Sequence, residues 1–184
     1  MIVDRSREKL VNAVIYFVQN TKYCGKTKLF KLLYFLDFEH FSKTGRSVTG
    51  LNYFAWPKGP VPVDIFDEVE SPDGVLEGAV SASKRRAYNG KVINDIVLIK
   101  EFSATHFSKR ELNLLAALSN EYANSYADDM VEATHLENLP WHQVYEENGQ
   151  KQQLIPYELA LKKSEYEQTI KNVLEDKEFK ENYK

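Results

Sequence analysis

Residues 27–45 read TKLFKLLYFLDFEHFSKTG. At helical spacing Leu29, Leu32, Leu33 and Leu36 form one face, and Phe30, Tyr34, Phe38 and Phe41 form an adjoining one. A helix that is apolar over so much of its circumference must be buried against several elements, so the spacing predicts the central helix of the fold. Gly45 is expected to end it. Asp37 falls inside the helix beside Leu33 and Phe41, whereas Glu39 is expected to face water. An inward carboxylate requires donors, and Lys28, Tyr53 and backbone amides are the candidates.

Outward from this helix, SREKLVNAVIYFVQN places Leu10, Val14, Phe17 and Val18 on one stripe, with Val11 and Ile15 beside it and Ser6 as the expected N-cap. A break at Lys22–Gly25 separates the two helices. On the other side lies TGLNYFAWPKGPVP, residues 49–62, which holds three of the chain's six prolines. Pro57, Pro60 and Pro62 each fix φ and remove an amide donor, and Gly59 allows a backbone angle or a close approach that a side chain would prevent. The expectation is a stiff loop with Tyr53 and Trp56 at its entrance and Lys58 at its tip. It acts either as a rigid connector clamping the helices or as a recognition loop whose aromatic anchors lose little entropy on binding.

Further along, a short helix is expected around VDIFDEVE. Asn89-Gly90 sits between segments rich in β-formers and predicts a hairpin of two short antiparallel strands. Ser108 and Glu111 have the spacing of a capping box, ahead of Leu112, Leu115, Leu118 and Tyr122. A helix around ADDMVEATH should stop before LPW, with Pro140 as the breaker. IPYELALKK and SEYEQTIKNVLED complete the helical set, the second opened by a box at Ser164 and Glu167. The fold class is therefore mainly α: a single compact multi-helix domain with a small antiparallel β-hairpin or sheet inserted near the middle.

Composition agrees with one globular domain: 184 residues, 43% hydrophobic and 28% charged. A net charge of -3 gives no global reason to bind nucleic acid or an anionic membrane. The single cysteine, Cys24, excludes an internal disulfide and any multi-cysteine zinc site. There is no apolar run of membrane-spanning length and no signal-peptide pattern, so the expected location is the cytoplasm. Charge is uneven along the chain. Residues 1–46 carry nine Lys/Arg against four Asp/Glu, and residues 111–147 carry eight Asp/Glu and no Lys or Arg. Such an acidic stretch is either solvated surface or the docking face for a basic partner. Lys84-Arg85-Arg86 reads as a solvated strand edge.

Catalytic signatures are missing: no Gly-rich phosphate loop, no GxSxG elbow and no HExxH helix. His135, Glu137 and His142 lack a standard ligand spacing, and a buried histidine satisfied by hydrogen bonds is the plainer reading of His135. No catalytic residue, metal or other cofactor is assigned. A small hydrolase or metal-dependent enzyme around Asp37, His135 and Trp141 ranks behind binding to a protein partner, and nucleic-acid binding ranks behind both.

Residues 28–62 closely resemble the hallmark of the Panacea domain, known from SocA-like antitoxins and phage-associated GepA-like proteins. The matching positions are Lys28, Leu29, Lys31, Leu32, Leu33, Tyr34 and Gly45 on the helix, then Thr49, Gly50, Tyr53, Ala55, Gly59, Pro60 and Val61 in the turn. Thr134, His135, Pro140 and Trp141 resemble the family's later [ST]H-to-PW segment, and IPYELAL its closing helix. The resemblance implies a mostly helical antitoxin domain, here residues 1–175 followed by a charged tail at 176–184. It also implies a cognate toxin as partner, encoded next door, that is neutralised by direct protein–protein contact. The alternative is a proteolytic adaptor that delivers the toxin to a protease, and a homo-oligomer is left open. Tyr53, Trp56, Lys58, Gly59, Pro60, Asp128 and Asp129 are the expected partner-binding residues, with Lys28, Leu32, Leu33, Tyr34, Asp37, Thr49, Gly50, His135 and Trp141 as the motif and its support.

Overall fold

The computed structural model describes residues 5–86, 92–136 and 139–161. Helix α1 runs Ser6–Asn20 and α2 Lys26–Thr44. Two antiparallel hairpins follow, β1 (Tyr53–Trp56) with β2 (Gly59–Pro62), and β3 (Val80–Arg86) with β4 (Val92–Leu98). Helices α3 (Lys109–Glu121), α4 (Ala127–Thr134) and the short α5 (Pro140–His142) come next. After α5 the chain continues as a π turn at Gln143–Glu147 and ends the described part with a 3-10 turn at Tyr157–Ala160. Ser164, Glu167, Asn89-Gly90 and the tail lie outside the described residues.

Helix α2 is the hub, as its apolar circumference requires. It packs against α1, α3, α4, β2 and the Tyr157–Ala160 turn. Leu29, Leu32, Leu33 and Leu36 are all fully buried, and the buried set also takes in Lys28, Lys31, Asp37 and His40. Gly45 closes the helix in the left-handed region at φ 71. Helix α1 buries Leu10, Ala13, Val14, Ile15 and Phe17. Its cap position falls at Arg5, not at the expected Ser6, which is instead the first helical residue. The Ser108–Glu111 capping box forms with both of its bonds, and the same Glu111 carboxylate takes Lys9 Nζ at 2.6 Å, tying α3 to α1.

Three expectations need correction. The stretch at VDIFDEVE is a single 3-10 turn, Val63–Ile65, followed by turns. Pro140 does not break α4, which ends at Thr134; it occupies the first turn of α5, where its missing amide costs nothing. The stiff loop at 53–62 is a β-hairpin with a two-residue turn, Pro57-Lys58, in the register Trp56↔Gly59, Ala55↔Pro60 and Tyr53↔Pro62.

The prolines of that hairpin have a specific explanation. Along β1, Ala55 and Tyr53 bond the other neighbour: Ala55 N donates to Gln153 O at 2.8 Å, Gln152 N to Ala55 O at 2.7 Å and Ile155 N to Tyr53 O at 2.8 Å. Their register partners Pro60 and Pro62 therefore face away from β1, into the protein, since all four residues of β2 are buried. An ordinary residue at either place would carry an amide into that buried edge without a β1 partner. Proline supplies none.

Candidate functional site

Two buried polar clusters hold the hairpin on α2. In the first, Asp37 is fully buried, and its Oδ1 accepts the amides of Val48 at 2.8 Å and Thr49 at 2.7 Å. Its Oδ2 accepts the hydroxyls of Tyr53, at 2.8 Å, and Thr49. Burial raises the Asp37 pKa, and the four hydrogen bonds oppose the rise. Of the expected donors, Tyr53 and the amides are present, but Lys28 is directed elsewhere. Tyr53 is consequently sealed in the core, so its ring is part of the hairpin's foundation and not an accessible anchor. Gly50 follows at φ 74 and lies against Ser6 of α1, which a Cβ would meet at 3.4 Å. Tyr157 stacks on Phe38 and Phe41 and donates to Leu51 O at 2.6 Å, closing the cluster from the C-terminal side.

The second cluster forms nearly two turns earlier on α2. Lys31, 1% exposed, donates its Nζ to the Pro60 carbonyl at 2.8 Å. No carboxylate pairs with it among the described residues, and burial pushes its pKa down to about 7. Gly59 lies against the same lysine at φ 90. A Cβ there would stand 2.6 Å from Thr134 Oγ1 and 2.9 Å from Lys31 Cε, so glycine is demanded by angle and by space together. The next residue of the chain, His135, stacks face to face on Trp141 with ring centroids 3.7 Å apart, and Trp141 Nε1 donates to Trp56 O at 3.0 Å. His135 is not the satisfied histidine the sequence suggested. Its Nε2 and the Tyr34 hydroxyl are buried, and neither makes a hydrogen bond of good geometry among the described residues. Burial, and then the Lys31 charge, lower the His135 pKa.

Lys28 organises a third point. Fully buried, its Nζ donates to the carbonyls of Lys22 at 2.8 Å, Tyr122 at 2.6 Å and Ser125 at 2.8 Å, binding the α1–α2 loop to the α3–α4 loop. This is a structural clamp.

The structure thus gathers Lys31, Tyr34, Tyr53, Trp56, Gly59, Pro60, His135 and Trp141 around one hairpin. Gly59 and Pro60 are buried and open β2 directly after the turn, Trp56 is half-buried with its ring against Phe66, and Lys58 is exposed at the tip. Asp128 and Asp129 are exposed at the opposite end of α4 from Thr134, about 9 Å along the helix axis at 1.5 Å per residue. Asp129 Oδ2 accepts the Tyr126 amide at 2.6 Å and so caps α4, whereas Asp128 has no partner among the described residues. Asp37 and His135 belong to separate clusters, and no hydrogen bond or ring contact joins them. Among the described residues no three His, Cys, Asp or Glu side chains converge as metal ligands, and no helix is long and apolar enough to cross a membrane.

Sequence reading placed Lys31 and Thr134 on the family pattern but gave neither of them, nor Tyr157, a physical part in supporting the site. For Lys31 a signal exists: a cation three residues from Lys28, on a helix apolar nearly all round, must find an acceptor inside. Thr134 and Tyr157 carry no comparable signal, because their contacts span long sequence separations.

The model of the family described as antitoxin SocA-like, Panacea domain, matches residues 29–142, more than half of the chain. That interval runs from the first leucine of α2 through both hairpins to α5. No curated protein and no solved structure matches the chain.

Proposed function

We propose, from the premise that the chain belongs to the SocA-like Panacea-domain antitoxin family, that it is the antitoxin of a toxin–antitoxin pair and neutralises its toxin by direct contact. The observation that supports contact as the mode is the mounting of the β1–β2 hairpin. Buried groups from α2, α4 and α5 converge directly beneath its turn, through Lys31 on Pro60, Thr134 against Gly59 and Trp141 on Trp56. Its tip, Pro57-Lys58, is left exposed. A binding element held this way loses little conformational freedom when a partner docks. Trp56 at the rim and Lys58 at the tip are the contact residues in this reading, and Tyr53, Gly59 and Pro60 act by holding them.

The test is co-expression. The product of the neighbouring reading frame should arrest growth when expressed alone, and this chain should relieve the arrest while co-purifying with it in a fixed ratio. Relief accompanied by disappearance of the toxin, and dependent on a host protease, would favour the adaptor instead. A neighbouring product that never arrests growth would defeat the antitoxin reading.

A further inference from the structure

Tyr23 and Tyr126 are the two exposed aromatic residues on the loops that Lys28 clamps. Each directly follows a carbonyl held by Lys28 Nζ, Lys22 O in one loop and Ser125 O in the other. The loops are joined again by Lys22 N donating to Ala123 O at 2.8 Å. So fixed, the two rings stack on each other, centroids 4.6 Å apart and 22° from parallel, while remaining 56% and 59% exposed. Tyr23 adopts φ 57, a left-handed conformation that side chains with a Cβ disfavour. The fold therefore spends a buried cation and an unfavourable backbone angle on displaying two tyrosines to solvent.

The surroundings say what they would meet. Asp128, in the first turn of α4, is exposed and has no partner among the described residues, and Asp129 and Glu132 are exposed on the same helix. Lys22 is the one exposed cation of the adjoining loop, and residues 111–147 contribute no Lys or Arg. Electron-rich ring faces on a surface that carries the exposed carboxylates of Asp128 and Asp129 suit a guanidinium or ammonium group, which can lie over a ring while the neighbouring negative charge draws it in. We propose that Tyr23, Tyr126 and Asp128 form a docking platform for an arginine- or lysine-bearing face of the toxin, a second contact in addition to the β1–β2 tip. The proposal rests on the antitoxin reading for the identity of the partner, but its chemistry does not.

The variant to test is Tyr23→Asn with Tyr126→Ser. Asparagine tolerates the left-handed angle and serine is a better helix N-cap than tyrosine, so the fold should keep or raise its melting temperature. Against the toxin identified by co-expression, the double variant should dissociate at least ~10-fold faster than the parent. Asp128→Asn should slow association at low salt and leave it unchanged at high salt. A parent that binds, with a double variant that binds equally well, overturns the platform while leaving the antitoxin reading intact. A double variant with a lowered melting temperature also overturns it, since the pair would then be structural.

A second arm needs no toxin. In a tyrosine-labelled sample, the ring resonances of Tyr23 and Tyr126 should shift on titration with an arginine–glycine repeat peptide and not with a glutamate–glycine repeat. The shift should be lost in Asp128→Asn. If co-expression fails but this titration succeeds, the antitoxin reading is wrong and the platform stands. Rings indifferent to both peptides refute it.

Discussion

Replacing Lys31 by methionine should make the protein more stable near neutral pH and remove part of its dependence on pH. Free in an unfolded chain the lysine titrates near 10.5, and burial without a carboxylate partner holds the folded group at about 7. Between those values the unfolded chain carries a proton that the folded one has released, so raising the pH favours the fold. The stability is fully present above the unfolded value and is lost as the pH falls through about 7. From the two pKa values the gain between pH 7 and pH 9 comes to about 2 kcal/mol. Methionine keeps the length and buried volume of the side chain but leaves the Pro60 carbonyl without its donor, a loss of about 1 to 3 kcal/mol at every pH. The desolvation that it removes at pH 7 amounts to about 4 kcal/mol, so the variant should come out ahead there and lose its advantage toward pH 9. Urea melts of parent and Lys31→Met across this range give the difference directly, because every other titrating group is common to both. Stability curves that run parallel would refute the reasoning and mean that Lys31 stays charged in the core.

Other outcomes follow from burial and space. Leu33→Ala, at a fully buried position, should cost roughly 2 to 5 kcal/mol in a thermal or urea melt, whereas Lys43→Ala, 61% exposed at the side chain, should cost almost nothing. Gly59→Val should damage both folding and neutralisation, since its side chain collides with Thr134 and Lys31 at an unfavourable φ. Lys58→Ala should keep the parent melting temperature and weaken rescue of toxin-arrested cells; equal losses in the two assays would reduce the hairpin to a connector. Pro60→Ala introduces a buried amide that faces away from β1 and should cost about 1 to 3 kcal/mol in a urea melt.

The central helix, its Gly45 stop and the capping box of α3 were legible in the sequence because each depends on residues a few positions apart. The inward Asp37 and two of its three kinds of candidate donor were legible for a related reason: a carboxylate on an apolar face must be answered from nearby. The β1–β2 strands were hidden by their prolines, since proline inside a run argues against a strand unless one edge is already known to need no donors. Which residues turn away from the β1–β2 seam is marked only by the bonds of Ala55 and Tyr53 to residues 152–155, almost a hundred positions away. Tyr53 looked like a surface anchor for the same reason, as its hydroxyl's destination on Asp37 belongs to tertiary structure. The stacking of His135 on Trp141, with its Nε2 left unbonded, departs from the general rule that buried polar atoms are satisfied, and no reading of spacing would find it.

The two residues of the hairpin turn make none of the side-chain bonds that mount the hairpin; those belong to Lys31, Thr134, Trp141 and the groups on Asp37. In the proposed reading, stability and partner choice are therefore written on different residues. Pro57 and Lys58 can be exchanged without disturbing the frame beneath them, so a library randomised at these two positions would sample new specificities on an unchanged scaffold, while the same diversity placed at Gly59 would yield mostly unfolded chains.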